Sequence, residues 1–324
     1  MLRLLPTVLV TICLISRPAV AEWLGDARPK MGTEVSVYLW HEDADTARKA
    51  LEAVFGEMDR INQLMSTYVE DSQISEINRR AADDWTEAGG ELHELVRRSL
   101  EISQLTDGAF DITFDSVGQH YDFRQRVRPD AAQIEASLPT IDYRLVELQA
   151  DTTRIRFRQP GVRINLGGIA KGYAVERGVS ILRDYGVRNA RVTAGGDTRL
   201  LGNRLNQPWV VGIRDPDSGA AISIRLPLED EAISTSGDYE RFFMEDGTRY
   251  HHILAPSTGE PAEGVRSATV IGPDGVTTDA LSTSVFVLGV DRGLSLIASL
   301  PEYEGIVIDA EGQLYYSDGF ASPE

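Results

Sequence analysis

The spacing of apolar positions divides the chain into a helix-rich first half and a strand-rich second half. Residues 31–39 (MGTEVSVYL) alternate well enough to predict a strand with one buried face. A long helix is predicted from Asp43 to about Leu64, where Ala50, Val54, Met58 and Ile61 recur at helical spacing. A second helix is predicted over 89–103, with Leu92, Leu95, Leu100 and Ile102 to bury, and the polar connection from Ser66 to Trp85 has room for a short one over 74–80. Residues 143–148, 154–157 and 162–166 read as short strands, followed by a glycine-marked helix over 169–185. Beyond it, 190–193, 209–213, 221–226 and 267–271 read as strands between Gly, Pro and Asp turns. A further helix is predicted over 279–288, and a final hairpin pairs 305–309 with 314–316 across Gly312. Helices and strands do not alternate strictly, which predicts an α+β fold over a doubly wound sheet.

The N-terminus follows a different pattern. Arg3 precedes an apolar run from Leu4 to Ser16, and Pro18-Ala19-Val20-Ala21 ends in the Ala-x-Ala form of a secretory cleavage site. The expectation is a signal peptide over 1–21 and an exported, periplasmic, soluble protein after cleavage. The run is shorter than the about 20 residues a membrane span needs, and no second such run stands out downstream. Cys13, the only cysteine, follows Ile12 where a lipoprotein box would have a small residue, so a lipid anchor is not expected. Losing it with the signal leaves no thiol, which excludes disulfides and cysteine-held zinc or iron–sulfur centres. With 50 acidic against 32 basic residues the formal charge is -18. Such a surface argues against nucleic acid and anionic lipid as partners, and leaves open an anionic ligand carried with a divalent cation. Lys30, Lys49 and Lys171 are the only lysines.

Candidate chemistry concentrates in a few segments. Asn165-Leu166-Gly167-Gly168-Ile169-Ala170-Lys171-Gly172-Tyr173 joins a predicted strand to a helix, where glycines admit a ligand to the backbone and the first helical turn offers free N–H groups. It matches neither the dinucleotide nor the Walker pattern, so it is either a packing device or a phosphate seat. In Thr278-Asp279-Ala280-Leu281-Ser282-Thr283, Asp279 and Thr283 share a helix face and offer two oxygens to a hard cation such as Mg²⁺; helix capping is the alternative. Of the pair His251-His252, only one side chain can enter a given site from an extended chain, and histidine is the group best placed to exchange a proton near neutrality. Ser234–Tyr239 reads as a hydroxyl-rich loop that seats a nucleotide or simply turns the chain. Within Thr106–Thr113, Asp111 can face a ligand with Phe110 behind it, or the Asp-Gly pair is only a turn. Tyr68 is either a stacking face for a planar ring or an ordinary half-buried aromatic.

Taken together and in order, these segments resemble the ApbE family, the FAD:protein FMN transferases. The resemblance runs through Met31-Gly32-Thr33, Met65–Tyr68, Thr106–Thr113, Leu166–Tyr173, Ala194-Gly195-Gly196-Asp197, Ser234–Glu240, His252–Gly259 and Thr278–Thr283. It implies a T-fold-related, two-part α+β architecture, with mixed or antiparallel sheets and flanking helices around a central flavin-nucleotide cleft. Residues 22–324 then form one catalytic unit, with room for two intertwined subdomains. The implied reaction moves FMN from FAD to a threonine of an acceptor protein and releases AMP, with Mg²⁺ as cofactor and a membrane-associated redox protein as acceptor. By the same resemblance Asp279 and Thr283 are magnesium ligands, with the Gly168 carbonyl and Ser282 beside them. Met31, Tyr68, Ala109, Phe110, Asp111, Asn165, Lys171 and Ile253 fall against the flavin nucleotide. His252 falls near the reacting phosphates, and His252 or Asp279 takes the threonine proton. The family turn usually begins with aspartate where this chain has Asn165. Two other activities stay open: a Mg²⁺-dependent FAD pyrophosphatase giving FMN and AMP, and an exported flavin-binding protein without turnover.

Overall fold

A computed structural model describes residues 22–216 and 222–320; the expected signal peptide, residues 1–21, lies outside the described residues. Strands β1 (Glu22–Lys30) and β2 (Thr33–His41) form a hairpin turned by Met31 and Gly32, both at positive φ (51° and 71°). Such turns match the twist of the strands they join, but a methionine in that region is unusual and points to an imposed conformation. The hairpin opens an eight-stranded sheet that continues through β6 (Asn189–Ala194), β7 (Asp197–Leu201), β10 (Ala232–Gly237), β13 (Val265–Gly272), β14 (Glu304–Asp309) and β15 (Leu314–Tyr316). Every neighbouring pair in it is antiparallel.

Each face of the sheet has its own core. Helices α1 (Ala44–Met65) and α6 (Ala170–Asp184) bury Val54, Met58, Val175 and Val179 against Val35, Val37 and Val192. Beside them α7 (Gly275–Ala298) sets Leu281, Val285 and Phe286 against Val270 and Val307. The opposite face takes the hairpin β8 (Trp209–Arg214) with β9 (Ile222–Leu228), whose Trp209 meets Trp23 and Tyr38 edge-on. By length and a mean hydropathy of 1.4, α7 could cross a membrane. Its apolar side is instead spent on the sheet, as in the core helix of a globular protein.

The remaining elements surround one end of this frame. Helices α2 (Gln73–Arg80) and α3 (Gly89–Leu105) pack with a small sheet of β3 (Thr86–Glu87), β5 (Arg154–Phe157) and β4 (Val146–Leu148). Short helices α4 (Asp115–Gly118) and α5 (Ala131–Ser137) follow α3, and β11 (Phe242–Glu245) with β12 (Thr248–His251) forms a two-stranded hairpin leading into His252.

Several expectations change. The loop expected at Ser234–Tyr239 is largely β10, an interior strand of the main sheet, because its small hydroxyls pair sideways: Ser234 with Thr278 at 2.9 Å and Thr235 with Thr269 at 2.8 Å. The helix expected over 279–288 starts a turn earlier, since Asp274 caps it through the Thr277 N–H, and it runs to Ala298 through a break at Gly289. Residues 162–166 are not a strand; their backbone is held by side chains and loops, as where Asn78 accepts from the Ile164 N–H. Residues 143–145 form a 3₁₀ turn ahead of the short strand β4.

Candidate active site

Where α6 begins, it meets α7 at close quarters. A Cβ on Gly172 would lie 1.9 Å from the Gly275 carbonyl oxygen and 2.7 Å from the Asp279 Cβ, so only glycine permits this approach. The approach lets Asp279 Oδ2 accept from the Gly172 N–H at 2.9 Å, a group left unpaired by the helix itself. Lys171, one residue earlier, lies between two buried carboxylates: Nζ is 2.5 Å from Asp197 Oδ2 and 3.4 Å from Asp279 Oδ1. Asp197 is 1% exposed and Asp279 2%. Burial opposes the Lys171 charge, but the two carboxylates outweigh it and raise the ammonium above the usual lysine range. Burial and the neighbouring Asp197 push Asp279 up to about 7, against the pull of Lys171 and the Gly172 N–H. Two acids thus share one cation.

The next turn of α7 closes this pocket. Thr283 Oγ1 lies 3.2 Å from the position a Cβ on Gly168 would take, and the Phe110 ring lies 3.1 Å from the same point. A side chain at 168 would therefore fill the space between the aromatic ring and the hydroxyl. Ser236 of β10 bonds both Ser282 Oγ (2.9 Å) and Thr283 Oγ1 (3.2 Å). Ser282 also donates to the Asp279 carbonyl in its own helix, so its hydroxyl is committed where that of Thr283 faces Gly168.

His252 approaches from the β11–β12 hairpin. Its N–H is held by the Arg241 carbonyl at 3.1 Å, and its Nδ1 is buried with no partner among the described residues. Burial first, then the charges of Arg241, His251 and Lys171, lower its pKa to about 3 and keep the ring neutral. Arg241 also donates to the Gly32 carbonyl at 3.2 Å, tying the histidine to the Met31–Thr33 turn, and an open recess of about 500 Å³ lies beside that turn with Arg124 on its wall. Ile253 is buried behind His252.

The turn at Asn165 explains its amide. Asn165 Oδ1 accepts from the Gly167 N–H at 2.9 Å, while Nδ2 donates to Asp115 Oδ1 at 2.9 Å and to Thr67 Oγ1 at 3.2 Å. Asp115 is itself buried and bound to Arg163 at 2.5 Å. An aspartate at 165 would set two carboxylates against each other, so the amide suits this surrounding. The same contacts bring the 66–68 loop to the glycine turn, where Tyr68, at 84% exposed, offers an open ring face. Asp111 is committed to backbone contacts: Oδ1 caps its own turn through the Thr113 N–H, and Oδ2 accepts from the Tyr143 N–H of the 143–145 turn, each at 2.8 Å. Ala109 and Phe110 are buried beside it.

Segments from both halves of the chain therefore meet around Lys171. The model of the ApbE family matches residues 31–307, which spans all of them. The chain belongs to the ApbE family. It is 31% identical over 287 residues to the FAD:protein FMN transferase of Vibrio cholerae, covering 85% of this chain and 84% of that protein. To the enzyme of the same name from Treponema pallidum it is 30% identical over 288 residues, covering 83% and 80%. The crystal structure of the ApbE protein from Thermotoga maritima superposes with a TM-score of 0.86 at 34% identity, over 92% of this chain and 98% of that one. In this ApbE-family chain the sequence motifs pointed to Gly168, Lys171, Asp279 and Thr283, which the fold gathers together. They did not single out Asp197, Ser236 or Arg241 for a role, because what each does depends on a partner far away in the chain.

Proposed function

We propose that this enzyme transfers the FMN half of FAD to a threonine hydroxyl of an acceptor protein and releases AMP. The observation that carries the reading is the cluster of Lys171, Asp279, Gly168 and Thr283 in a chain of the ApbE family. Lys171 would bind the pyrophosphate, and Tyr68 and Phe110 would flank the planar rings.

The cluster fits Mg²⁺. Its two buried carboxylates exceed its one ammonium by a negative charge, and Asp279, the Thr283 hydroxyl and the Gly168 carbonyl are all hard oxygen donors. No group of three or more His, Cys, Asp or Glu suited to a metal occurs among the described residues, so a mixed oxygen set is what the site offers. Bound there, the ion would supply charge neutralisation at the phosphoryl oxygens.

In the reaction the threonine oxygen bonds to the FMN phosphorus, the bond from that phosphorus to the bridging oxygen breaks, and the electron pair leaves with AMP. Of the two candidates, His252 has the proton-accepting atom not already engaged. Its Nδ1 is neutral and unpartnered, whereas Asp279 has one oxygen on Gly172 and the other toward Lys171 and the cation. An anionic pyrophosphate beside the ring would raise its basicity.

Incubation with FAD, Mg²⁺ and a flavin-acceptor domain should add one FMN mass to the acceptor and release AMP. Release of free FMN without acceptor labelling would favour the pyrophosphatase, and intact FAD after long incubation a binding protein. Asp279→Ala should abolish labelling, and unchanged labelling would sink the metal role. The reading includes export, with an acceptor on the outer side of the membrane; N-terminal sequencing of the mature protein should begin at Glu22.

A further inference from the structure

Asp197 takes no part in the proposed reaction, yet it makes a 2.5 Å ion pair with Lys171 at the centre of the site. It opens β7, directly after a turn that the fold wedges in place. A Cβ on Gly195, at φ +61°, would lie 2.8 Å from Thr33 Oγ1, and one on Gly196 would lie 2.4 Å from the Thr235 carbonyl oxygen. Asp197 is also paired in register with Ala194 and Ser234, so its carboxylate has little freedom to move. Asp279 is fixed just as firmly by the Gly172 N–H. Lys171 is the flexible member of the three, and it sits 2.5 Å from Asp197 but 3.4 Å from Asp279.

We propose that Asp197 is a positioning residue that draws the Lys171 ammonium away from Asp279 and so keeps Asp279 Oδ1 open to a divalent cation. The proposal rests on the metal reading given above. An ammonium and a metal ion seek the same carboxylate oxygen, and without a second acid the lysine would close on Asp279 as a simple buried ion pair. The ion would then have to displace it. With Asp197 present, the ammonium keeps a full partner of its own, stays charged, and remains beside the cation site where a pyrophosphate would need it. Carboxylates that orient such groups from behind the ligands typically change metal affinity about 10–100-fold when removed.

The test measures binding of Mn²⁺ to the full mature protein by electron paramagnetic resonance, without FAD, and displacement of Mn²⁺ by Mg²⁺. Asp197→Asn should weaken Mn²⁺ binding about 10–100-fold. In a Lys171→Met background, where no ammonium competes, the same Asp197→Asn change should weaken binding far less, by only the loss of its negative charge near the ion. Asp197→Ser removes the same charge with less bulk and replaces Asp197→Asn if that variant does not fold. Unchanged Mn²⁺ affinity on loss of Asp197, in protein where Asp279→Asn does weaken binding, overturns the proposal. Equal weakening in both lysine backgrounds overturns it too, since that would mark Asp197 as a merely structural support. Failure of the unmodified protein to bind, or full binding by Asp279→Asn, removes the metal reading itself and this inference with it.

Discussion

At the scale of single residues, the site is governed by how burial divides charge. Asp279 holds its proton up to about 7 in the native state, whereas the unfolded chain releases it near the ordinary value of about 4. Between those limits the native state binds more protons, so this group lowers stability as pH rises through the window. A divalent cation needs the carboxylate form and reverses that trend. The rise in melting temperature produced by Mg²⁺ should therefore grow from about pH 5 to about pH 8, and Asp279→Asn should remove the growth. His252 has the opposite sign. Its native pKa is depressed to about 3, so its contribution is lost as pH falls from the unfolded value of about 6.5. Its ring signals in nuclear magnetic resonance should stay those of a neutral imidazole down to about pH 5 in the absence of FAD. Local spacing put Asp279 and Thr283 on one helix face, with capping as the alternative, whereas His252 is told apart from His251 only by the family resemblance. Asp197 was visible only as the end of a matched stretch, because its work is defined by a lysine on another element.

At the scale of elements, long amphipathic helices were legible and small-residue strands were not. α1 and α3 announce themselves through repeated apolar positions, and their ends fall within two residues of expectation. β1 (EWLGDARPK) lacks clean alternation because it is an edge strand with much of its surface in solvent. β10 resembles a loop from Ser234 on because its residues are turn-like, yet in the sheet interior their hydroxyls bond to α7 and β13. The crossing of α6 and α7 yields a sharp expectation. Gly172→Ala must push the helices apart and should cost about 3 kcal/mol or more, read as a fall in the denaturant midpoint, together with loss of metal binding. Gly289 separates stability from the site. Its φ of 79° with ψ of -179° is a glycine conformation, but a Cβ there meets nothing within 4 Å. Gly289→Ala should cost about 1–3 kcal/mol from backbone strain alone while leaving Mn²⁺ affinity unchanged.

At the scale of the whole molecule, a formal charge of -18 surrounds a site meant for an anion. Local cations answer the contact problem, but approach from a distance still meets the global field. The association rate for FAD in stopped-flow fluorescence should increase severalfold between about 10 mM and about 200 mM monovalent salt, because screening weakens the repulsion. The order of the sheet has another consequence. β10 and β13 lie in its interior although they belong to the last third of the chain, and α7, which carries Asp279 and Thr283, comes later still. During synthesis the glycine turn and Lys171 emerge long before their partners. A nascent chain therefore holds only half of the cluster, and Lys171, Gly168, Asp279 and Thr283 come together only once α7 has joined, so that ligand binding doubles as a report that the last helix is in place.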